Sequence, residues 1–219
     1  MLVYGKNVLK DLEKKKIKKV YCARKDYQDY LEENKIHYEM VDNKRLDKMV
    51  HGLHQGIVLD MYDFQYSSID DLEGNFIVIL DHIEDPHNFG SIIRTCACAG
   101  IKSIIIPKDR CVKVTDTVMK VSEGTLDKVK IIMVTNLCNT INYLKKNNYF
   151  VYVSDMDGKN YKNISYADKK ALVISNEGNG VSNIIKNNAD EVISIPLENN
   201  VNSLNASVAA GILIYGMKE

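Results

Sequence analysis

The sequence predicts an α/β protein whose second part is built on a mostly parallel sheet and whose first part is a smaller α/β unit. A continuous apolar run, such as residues 76–80, is typical of a strand that is buried on both faces, and residues 171–175 are predicted as another buried strand. Between such runs, apolar residues recur at helical spacing, as Phe89, Ile92 and Cys96 do. Strands that alternate with helices form parallel sheets covered on both sides, which defines the fold class.

The first part, residues 1–64, is predicted to be a small α/β unit. Its apolar patterns predict helices at residues 5–16, 27–34 and 44–50 and strands at residues 19–23, 37–41 and 56–62. Residues 65–74 are polar and end in Gly74, which is typical of a linker.

The second part, residues 75–219, alternates regularly between the two kinds of element. The predicted strands are residues 76–80, 103–106, 130–134, 149–154, 171–175 and 191–195. The predicted helices are residues 88–99, 114–121, 137–146, 181–187 and 205–217. Asn88 is predicted as the N-cap of the first of these helices, and Gly100 as its stop.

Composition excludes several classes of protein. The 219 residues are 45% hydrophobic and 26% charged, as in an ordinary globular protein. No apolar run approaches the ~20 residues of a membrane span, and the N-terminus lacks the apolar stretch of a signal peptide, so a cytoplasmic location without a membrane partner is expected. The chain has five cysteines, an odd number, and none of them form a Cys-x-x-Cys pair. This pattern indicates free, buried thiols rather than disulfides or a metal site. No metal site is predicted, because the histidines lack ligand spacing.

Charge is unevenly distributed along the chain. The net charge is zero, but residues 1–25 hold nine lysines and arginines against two carboxylates, a balance of +7. A basic patch on a neutral protein can contact phosphate backbones. The densest cluster, a candidate for binding RNA, comprises Lys14, Lys15, Lys16, Lys18 and Lys19. A solvated lysine-rich helix face explains the same pattern equally well.

Three segments lie where an apolar strand stops and polar or glycine-rich residues begin. The first segment is residues 85–94, the second is residues 175–180, and the third runs from residue 195 to residue 207. Ligands bind at such strand ends in open α/β sheets, so the three segments predict one composite site.

The second segment favours a ligand with a positive centre. Its Gly178-Asn179-Gly180 could begin a dinucleotide fingerprint, but the third glycine of that fingerprint is replaced by Asn183. Glu177 would direct a negative charge toward a pyrophosphate. S-adenosyl-L-methionine, a sulfonium without phosphate, fits this segment better. A plain turn between a strand and a helix is the alternative.

The third and first segments add a polar loop and a cation. The loop at residues 197–202 can surround an adenine through backbone donors and acceptors, although capping by Ser203 or Asn205 also explains its end. Arg94 lies six residues beyond Asn88, roughly 9 Å along the helix axis. Arginine is suited to phosphate and planar polar groups, so Arg94 is either a ligand-binding residue or a surface residue.

Taken together, the three segments resemble the three motifs of the SpoU/TrmH family of RNA ribose 2′-O-methyltransferases. The family pattern is Asn-x-Gly with an arginine four residues beyond the glycine, then Glu-Gly-x-Gly, then Ile-Pro followed by Ser-Leu-Asn-x-Ser. This chain has, in order, Asn88-Phe89-Gly90 with Arg94, then Glu177-Gly178-Asn179-Gly180, then Ile195-Pro196 followed by Ser203-Leu204-Asn205-Ala206-Ser207. Upstream, Tyr4-Gly5 and His54-Gln55-Gly56 resemble the substrate-binding domain of the branch that methylates a guanosine in 23S ribosomal RNA.

The resemblance implies a particular fold and assembly. Residues 75–219 would form a trefoil-knotted methyltransferase domain, although knots are rare among protein folds. Residues 1–64 would form a small ribosomal-protein-like domain that binds the RNA substrate. Two copies would pair as a homodimer, so that each active site is completed at the interface.

The resemblance also implies roles for residues at the matching positions. The donor-binding residues would be Ser175, Asn176, Gly178, Ile195 and Leu204. The catalytic residues would be Asn88, Arg94, Glu177, Ser203 and Asn205. Ser175 departs from the family, whose members usually have glycine at that position.

The implied reaction is an in-line attack of a ribose 2′-oxygen on the donor methyl group. Arg94 is a poor base, because guanidinium keeps its proton to very high pH. Arg94 would instead orient the hydroxyl and a phosphate, while Glu177 or water accepts the proton. A transfer-RNA ribose methyltransferase and a non-catalytic RNA-binding factor on the same fold are the alternatives, and a nicotinamide-dependent oxidoreductase is disfavoured by the missing glycine.

Overall fold

A computed structural model describes residues 2–5, 17–175, 180–199 and 203–218. The chain divides into two compact units, Met1–Gln65 and Tyr66–Glu219. The predicted helix at residues 5–16 lies, apart from Gly5, outside the described residues. Each unit contains a sheet of its own.

The first unit has a four-stranded mixed sheet in the order β1-β4-β2-β3. Its described elements are β1 (Leu2–Tyr4), β2 (Ile17–Cys22), a 3₁₀ turn (Lys25–Tyr27), α1 (Gln28–Glu33), β3 (Tyr38–Met40), α2 (Asn43–Met49) and β4 (Ile57–Met61). β4 is antiparallel to both β1 and β2, whereas β2 and β3 are parallel. The small core includes Leu31, Leu46 and Val58, all fully buried.

The second unit has a six-stranded sheet in which every described pair is parallel. The strand order is β10-β8-β9-β5-β6-β7. The strands are β5 (Phe76–Asp81), β6 (Ser103–Pro107), β7 (Lys130–Val134), β8 (Phe150–Asn160), β9 (Lys170–Ser175) and β10 (Glu191–Ser194). The α-helices are α3 (Pro86–Cys98), α4 (Asp116–Val121), α5 (Leu137–Lys146), α6 (Asn183–Asn188) and α7 (Ala206–Gly216). The predicted α/β class is confirmed.

Both faces of the central strands are buried. Ile77 and Ile79 of β5 belong to a core cluster that includes residues of α5 and α6. Val78 and Leu80, which point to the opposite face, are also fully buried. α7 contacts both β9 and α3. This two-sided burial explains why the strand sequences are continuous apolar runs.

The first helix of the second unit begins earlier than predicted. Asp85 is the N-cap of α3 and accepts a hydrogen bond from the His87 amide at 2.9 Å. Pro86 occupies the first turn, where its missing N–H costs nothing. The prediction that Asn88 caps this helix was therefore wrong. The consequence is that the Asn88 side chain is available for another partner.

Two further predictions need correction. β8 extends to Asn160 rather than ending near residue 154, because it pairs a second time with β10 at Lys159 and Asn160. All five cysteines are free, but only Cys22 and Cys96 are buried, and Cys98 is exposed.

The residues predicted as a linker make specific contacts within the second unit. Ser67 donates its amide to the carbonyl of Ile131 at 2.9 Å. Ser68 and Asp71 form a reciprocal capping box. The Glu73 amide donates to Ser103 Oγ at 2.9 Å. Residues 66–74 are therefore anchored along the β6–β7 side of the sheet.

Candidate active site

The sheet has a topological switch point between β5 and β9. After β5, the chain adds β6 and then β7 on one side of β5 in the sheet. The later strands β9, β8 and β10 lie on the other side of β5. Ligands bind beyond the carboxyl ends of parallel strands at such a point. Asp81 and Ser175, the last residues of β5 and β9, are register partners there. The first two sequence segments therefore leave the sheet side by side.

Asp81 is a buried carboxylate that the sequence reasoning missed. It is 2% exposed, and within the part of the chain that the structure describes its Oδ1 atom is paired with His82 Nδ1. His82 adopts a left-handed φ of 57°. Burial raises the pKa of the Asp81 carboxyl, and the nearby His82 partly offsets that rise. An aspartate closing a buried parallel strand was the available signal.

The first and third segments are joined by a hydrogen bond between two asparagines. Asn205 Nδ2 donates to Asn88 Oδ1 at 2.9 Å, although 117 residues separate them. Asn205 is also the N-cap of α7, because its Oδ1 accepts from the amides of Ser207 at 3.0 Å and Val208 at 3.3 Å. Both explanations offered for Asn205, a cap and a site residue, are thus compatible. The pair fixes the amino ends of α3 and α7 relative to each other.

Arg94 lies two turns along α3 and faces a carboxylate. Its Nη1 atom is 2.8 Å from Glu123 Oε1, and both side chains are at least half exposed. Gly90, one turn before Arg94, brings α4 close, because an added Cβ would lie 2.7 Å from Val121 Cβ. The glycine of the Asn-x-Gly motif therefore has a packing role here, while the arginine remains accessible.

The structure describes part of the predicted donor site. Ser175 closes β9, Ile195 immediately follows β10, and Leu204 and Ser203 precede α7. Three predicted site residues, Asn176, Glu177 and Gly178, lie outside the described residues. Gly180, the last residue of the second segment, has a φ of 61°, a conformation that favours glycine.

In the first unit, the two motif pieces noted in the sequence lie together. An added Cβ on Gly5 would be 3.6 Å from Gln55 Oε1. His54 accepts the Gly56 amide at Nδ1, at 3.0 Å, and its Nε2 lies 3.0 Å from Asp47 Oδ1. The Tyr4-Gly5 and His54-Gln55-Gly56 pieces thus form one corner of the unit.

The described part of the lysine cluster is partly neutralised. Lys19 Nζ lies 2.7 Å from Glu39 and Lys18 Nζ lies 3.7 Å from Asp60. The bond to Glu39 raises the pKa of Lys19. Lys19 and Arg45 also lie 5.2 and 5.5 Å from the ring centroid of Tyr21. Lys14, Lys15 and Lys16 lie outside the described residues.

Within the described ranges, no group of three or more His, Cys, Asp or Glu could hold a metal ion. Nor is any helix in these ranges long and apolar enough to cross a membrane.

A parallel α/β sheet with polar groups at its switch point defines the class of this protein as a ligand-binding α/β protein. Comparison with known protein families identifies the family. The SpoU rRNA methylase family matches residues 75–215, and the family described as RNA 2′-O ribose methyltransferase substrate binding matches residues 2–67. The chain belongs to the SpoU/TrmH family of RNA methyltransferases.

Individual proteins are similar to this chain in sequence or in fold. The Bacillus subtilis protein YacO, assigned by name to the TrmH family of tRNA/rRNA methyltransferases, is 40% identical over 189 residues, which cover 82% of this chain and 76% of YacO. An AdoMet-bound rRNA methyltransferase from Sinorhizobium meliloti has a TM-score of 0.84 at 21% identity, covering 99% of this chain and 86% of that one. A TrmH/SpoU tRNA-modifying enzyme from A. aeolicus has a TM-score of 0.61 at 28% identity, covering 67% of this chain and 75% of that one.

Proposed function

We propose that the chain transfers a methyl group from S-adenosyl-L-methionine to a ribose 2′-hydroxyl of RNA, most specifically a guanosine in 23S ribosomal RNA. The observation that carries the proposal is the hydrogen bond between Asn88 and Asn205, which joins two family motifs beside the switch point. Ribosomal RNA is favoured by the resemblance of the first unit to the ribosomal-RNA branch of the family. The proposal implies a cytoplasmic protein.

The residues present fit this donor. Asp81 is a buried carboxylate at the end of β5 that is paired with the half-exposed His82, and a carboxylate at this place suits a ligand with a positive centre. We propose that Ser175, Ile195 and Leu204, with backbone help from Asn176 and Gly178, hold the donor. When bound, S-adenosyl-L-methionine supplies a methyl group on a sulfonium, which the 2′-oxygen attacks in line. No metal takes part in the proposed reaction.

The proposed catalytic residues divide the remaining work. Arg94 orients the ribose and an adjacent phosphate through its planar guanidinium. The polar side chains that line the site around Arg94 are those of Asn88, Asn205 and Ser203. The 2′-hydroxyl proton passes to Glu177 or to water, because the guanidinium cannot accept it. Holding the hydroxyl in line with the methyl group is the main catalytic contribution.

Ribose methylation mapping tests the function directly. Cells with and without the gene should differ at one guanosine of 23S ribosomal RNA, and the purified chain should restore that methyl group on unmodified RNA. Methylation at a transfer-RNA ribose would favour the alternative substrate. RNA binding without any methyl transfer would favour a non-catalytic factor and would contradict the proposal.

We also propose that the protein is a homodimer with a knotted second unit, and that α7 lies at the interface. α7 is apolar almost all round, a pattern typical of a buried helix. Yet Val208 and Tyr215 are 50% and 49% exposed, and an added Cβ on Gly211, which lies between them, would meet no atom of the described residues within 4 Å. These positions share one face of the helix, which a second copy would cover.

Charge introduced on this face should break the dimer. Val208→Asp would bury an unpaired carboxylate at the interface, so we expect the dimer dissociation constant to rise more than ~100-fold. Sedimentation at several concentrations measures it. Ile184→Asp on α6 is the matched control, because Ile184 is 66% exposed and lies on another helix. A Val208→Asp chain that dimerises like the wild type would contradict the assignment.

A further inference from the structure

The loop between α2 and β4 of the first unit has a strained backbone. Gln55, which is not a glycine, has a left-handed φ of 54°, and Gly56 follows with a φ of 84°. A residue with a side chain loses free energy in this conformation, and the surrounding structure must supply it. Strained segments of this kind cluster at ligand-binding sites. We refer to residues 51–56 as the corner loop.

Hydrogen bonds hold the corner loop in this conformation. His54 Nδ1 accepts the Gly56 amide at 3.0 Å, and the Gly56 carbonyl accepts the Ala23 amide at 2.9 Å. The Tyr27 hydroxyl donates to the carbonyl of the strained residue, Gln55, at 3.1 Å. The loop is therefore preorganised, which lowers the conformational cost of binding a ligand there.

An arginine lies over a tyrosine ring beside the corner loop. The guanidinium carbon of Arg24 lies 5.6 Å from the ring centroid of Tyr27, and the same guanidinium is paired with Asp26. The Arg24 stem crosses Gly56, where an added Cβ would lie 2.6 Å from Cγ and Cδ of the arginine. The side chain is thus oriented along its length, although 54% of it is exposed. We refer to Arg24 and Tyr27 as the platform.

Fold stability gives little reason for this arrangement. Exposed ion pairs and exposed contacts between a cation and an aromatic ring each stabilise a fold only slightly. Leu53, in the corner loop, is 80% exposed and buries little apolar area within the fold. A planar guanidinium on an aromatic ring, close in the chain to an exposed apolar side chain, is instead suited to the flat face of a nucleobase.

We propose that the platform stacks against an unpaired base of the RNA substrate, and that Leu53 contacts the same nucleotide or its neighbour. The inference rests on the proposed function, in which the first unit binds ribosomal RNA, and it adds the residues that contact a base. RNA is favoured over a protein partner because residues 2–67 match the family described as RNA 2′-O ribose methyltransferase substrate binding. The lysine cluster differs from the platform, since its proposed contacts are with phosphates.

A variant that keeps the charge but removes the planar group tests stacking directly. Arg24→Lys should raise the dissociation constant for an unmodified transcript of 23S ribosomal RNA by ~10-fold, measured by filter binding, because stacking on one base supplies roughly this factor. The dependence of log K on log salt should stay that of the wild type, because the positive charge is kept.

Two replacements of the tyrosine separate its ring from its hydroxyl. Tyr27→Leu should weaken RNA binding by ~10-fold, as Arg24→Lys does, because the ring that supports the guanidinium is lost. Tyr27→Phe removes only the hydrogen bond to the Gln55 carbonyl, and its RNA affinity should stay within about threefold of wild type. Because Arg24 and Tyr27 act as one unit, combining Arg24→Lys with Tyr27→Leu should be little worse than either change alone.

A second arginine–tyrosine pair in the first unit is the matched control. The guanidinium carbon of Arg45 lies 5.5 Å from the ring centroid of Tyr21, and Arg45 Nη1 lies 2.7 Å from Glu39 Oε1. The Arg45 side chain is 51% exposed, close to the value for Arg24. Tyr21, however, packs against the core cluster that includes Leu46. Arg45→Lys should therefore leave RNA affinity within about twofold of wild type.

The outcomes separate the inference from the function on which it rests. A wild-type chain that binds no ribosomal RNA overturns the proposed function together with this inference. Wild-type binding combined with unchanged binding by Arg24→Lys overturns the inference alone, and would favour a protein as the partner of this corner. Equal losses in Arg24→Lys and Arg45→Lys would also overturn it, and so would a loss in Tyr27→Phe as large as that in Tyr27→Leu. In those cases fold stability or the hydroxyl group, rather than stacking, would govern the affinity.

Discussion

Replacing Arg94 by alanine should abolish methyl transfer to RNA while donor affinity stays within about twofold of wild type. Removing one group that stabilises charge in a transition state typically costs about 100- to 1,000-fold in turnover. Arg94 lies on α3 with its side chain half exposed, so it can reach a ligand in front of the sheet. Turnover with radiolabelled donor and calorimetry with the donor alone give the two numbers.

The contact with Glu123 sharpens this prediction. An exposed ion pair of this kind stabilises a fold by at most ~1 kcal/mol, so Arg94 can exchange Glu123 for an RNA phosphate at little cost. Glu123→Gln is therefore the control: it removes the same ion pair but keeps the guanidinium, and its turnover should stay within a few fold of wild type. Loss of donor binding in Arg94→Ala would show that the arginine belongs to the donor site instead.

Local sequence patterns predicted much of the fold. Apolar runs that are buried on both faces and helices with a periodic apolar side were read correctly, because their patterns follow from burial within the element itself. The strand order and the irregular pairing of β8 with β10 were not predicted. Both depend on pairing between strands that are distant in the chain: the partners in β8 and β10, for example, lie some 34 to 39 residues apart and leave no local trace.

The candidate site was likewise predictable in part: features that follow from local sequence were found, and features that depend on burial or distant contacts were not. The three segments could be found because each polar stretch follows an apolar strand, and the structure brings the first and third together at Asn88 and Asn205. Asn88 was misassigned as a cap because Asp85, three residues earlier, is an equally good one and is followed by proline. Asp81 was missed because one carboxylate at the end of a strand looks like an ordinary boundary until its burial is known.

Removing residues 1–64 should weaken RNA binding while donor binding is unchanged. The second unit keeps its own sheet and a core cluster drawn entirely from that unit, so it has the elements needed to fold without the first. We expect the RNA dissociation constant at low salt to rise roughly 10- to 100-fold, because phosphate contacts dominate such affinities. Filter binding with ribosomal RNA measures the RNA affinity, and calorimetry with the donor measures the donor affinity. Unchanged RNA affinity would refute the role of this unit.

Removing charge from the lysine cluster in the 219-residue chain measures the electrostatic part of the RNA affinity. With Lys14, Lys15 and Lys16 replaced by glutamine, the dependence of log K on log salt should become shallower by about 2 to 3, because each phosphate contact releases most of one counterion. Glutamine at Lys102, Lys128 and Lys146, three exposed lysines of the second unit near the amino ends of its strands, is the matched control and should leave the slope unchanged. Equal slopes in all three proteins would mean that the cluster is only a solvated surface, and that the first unit recognises RNA through shape and uncharged contacts instead.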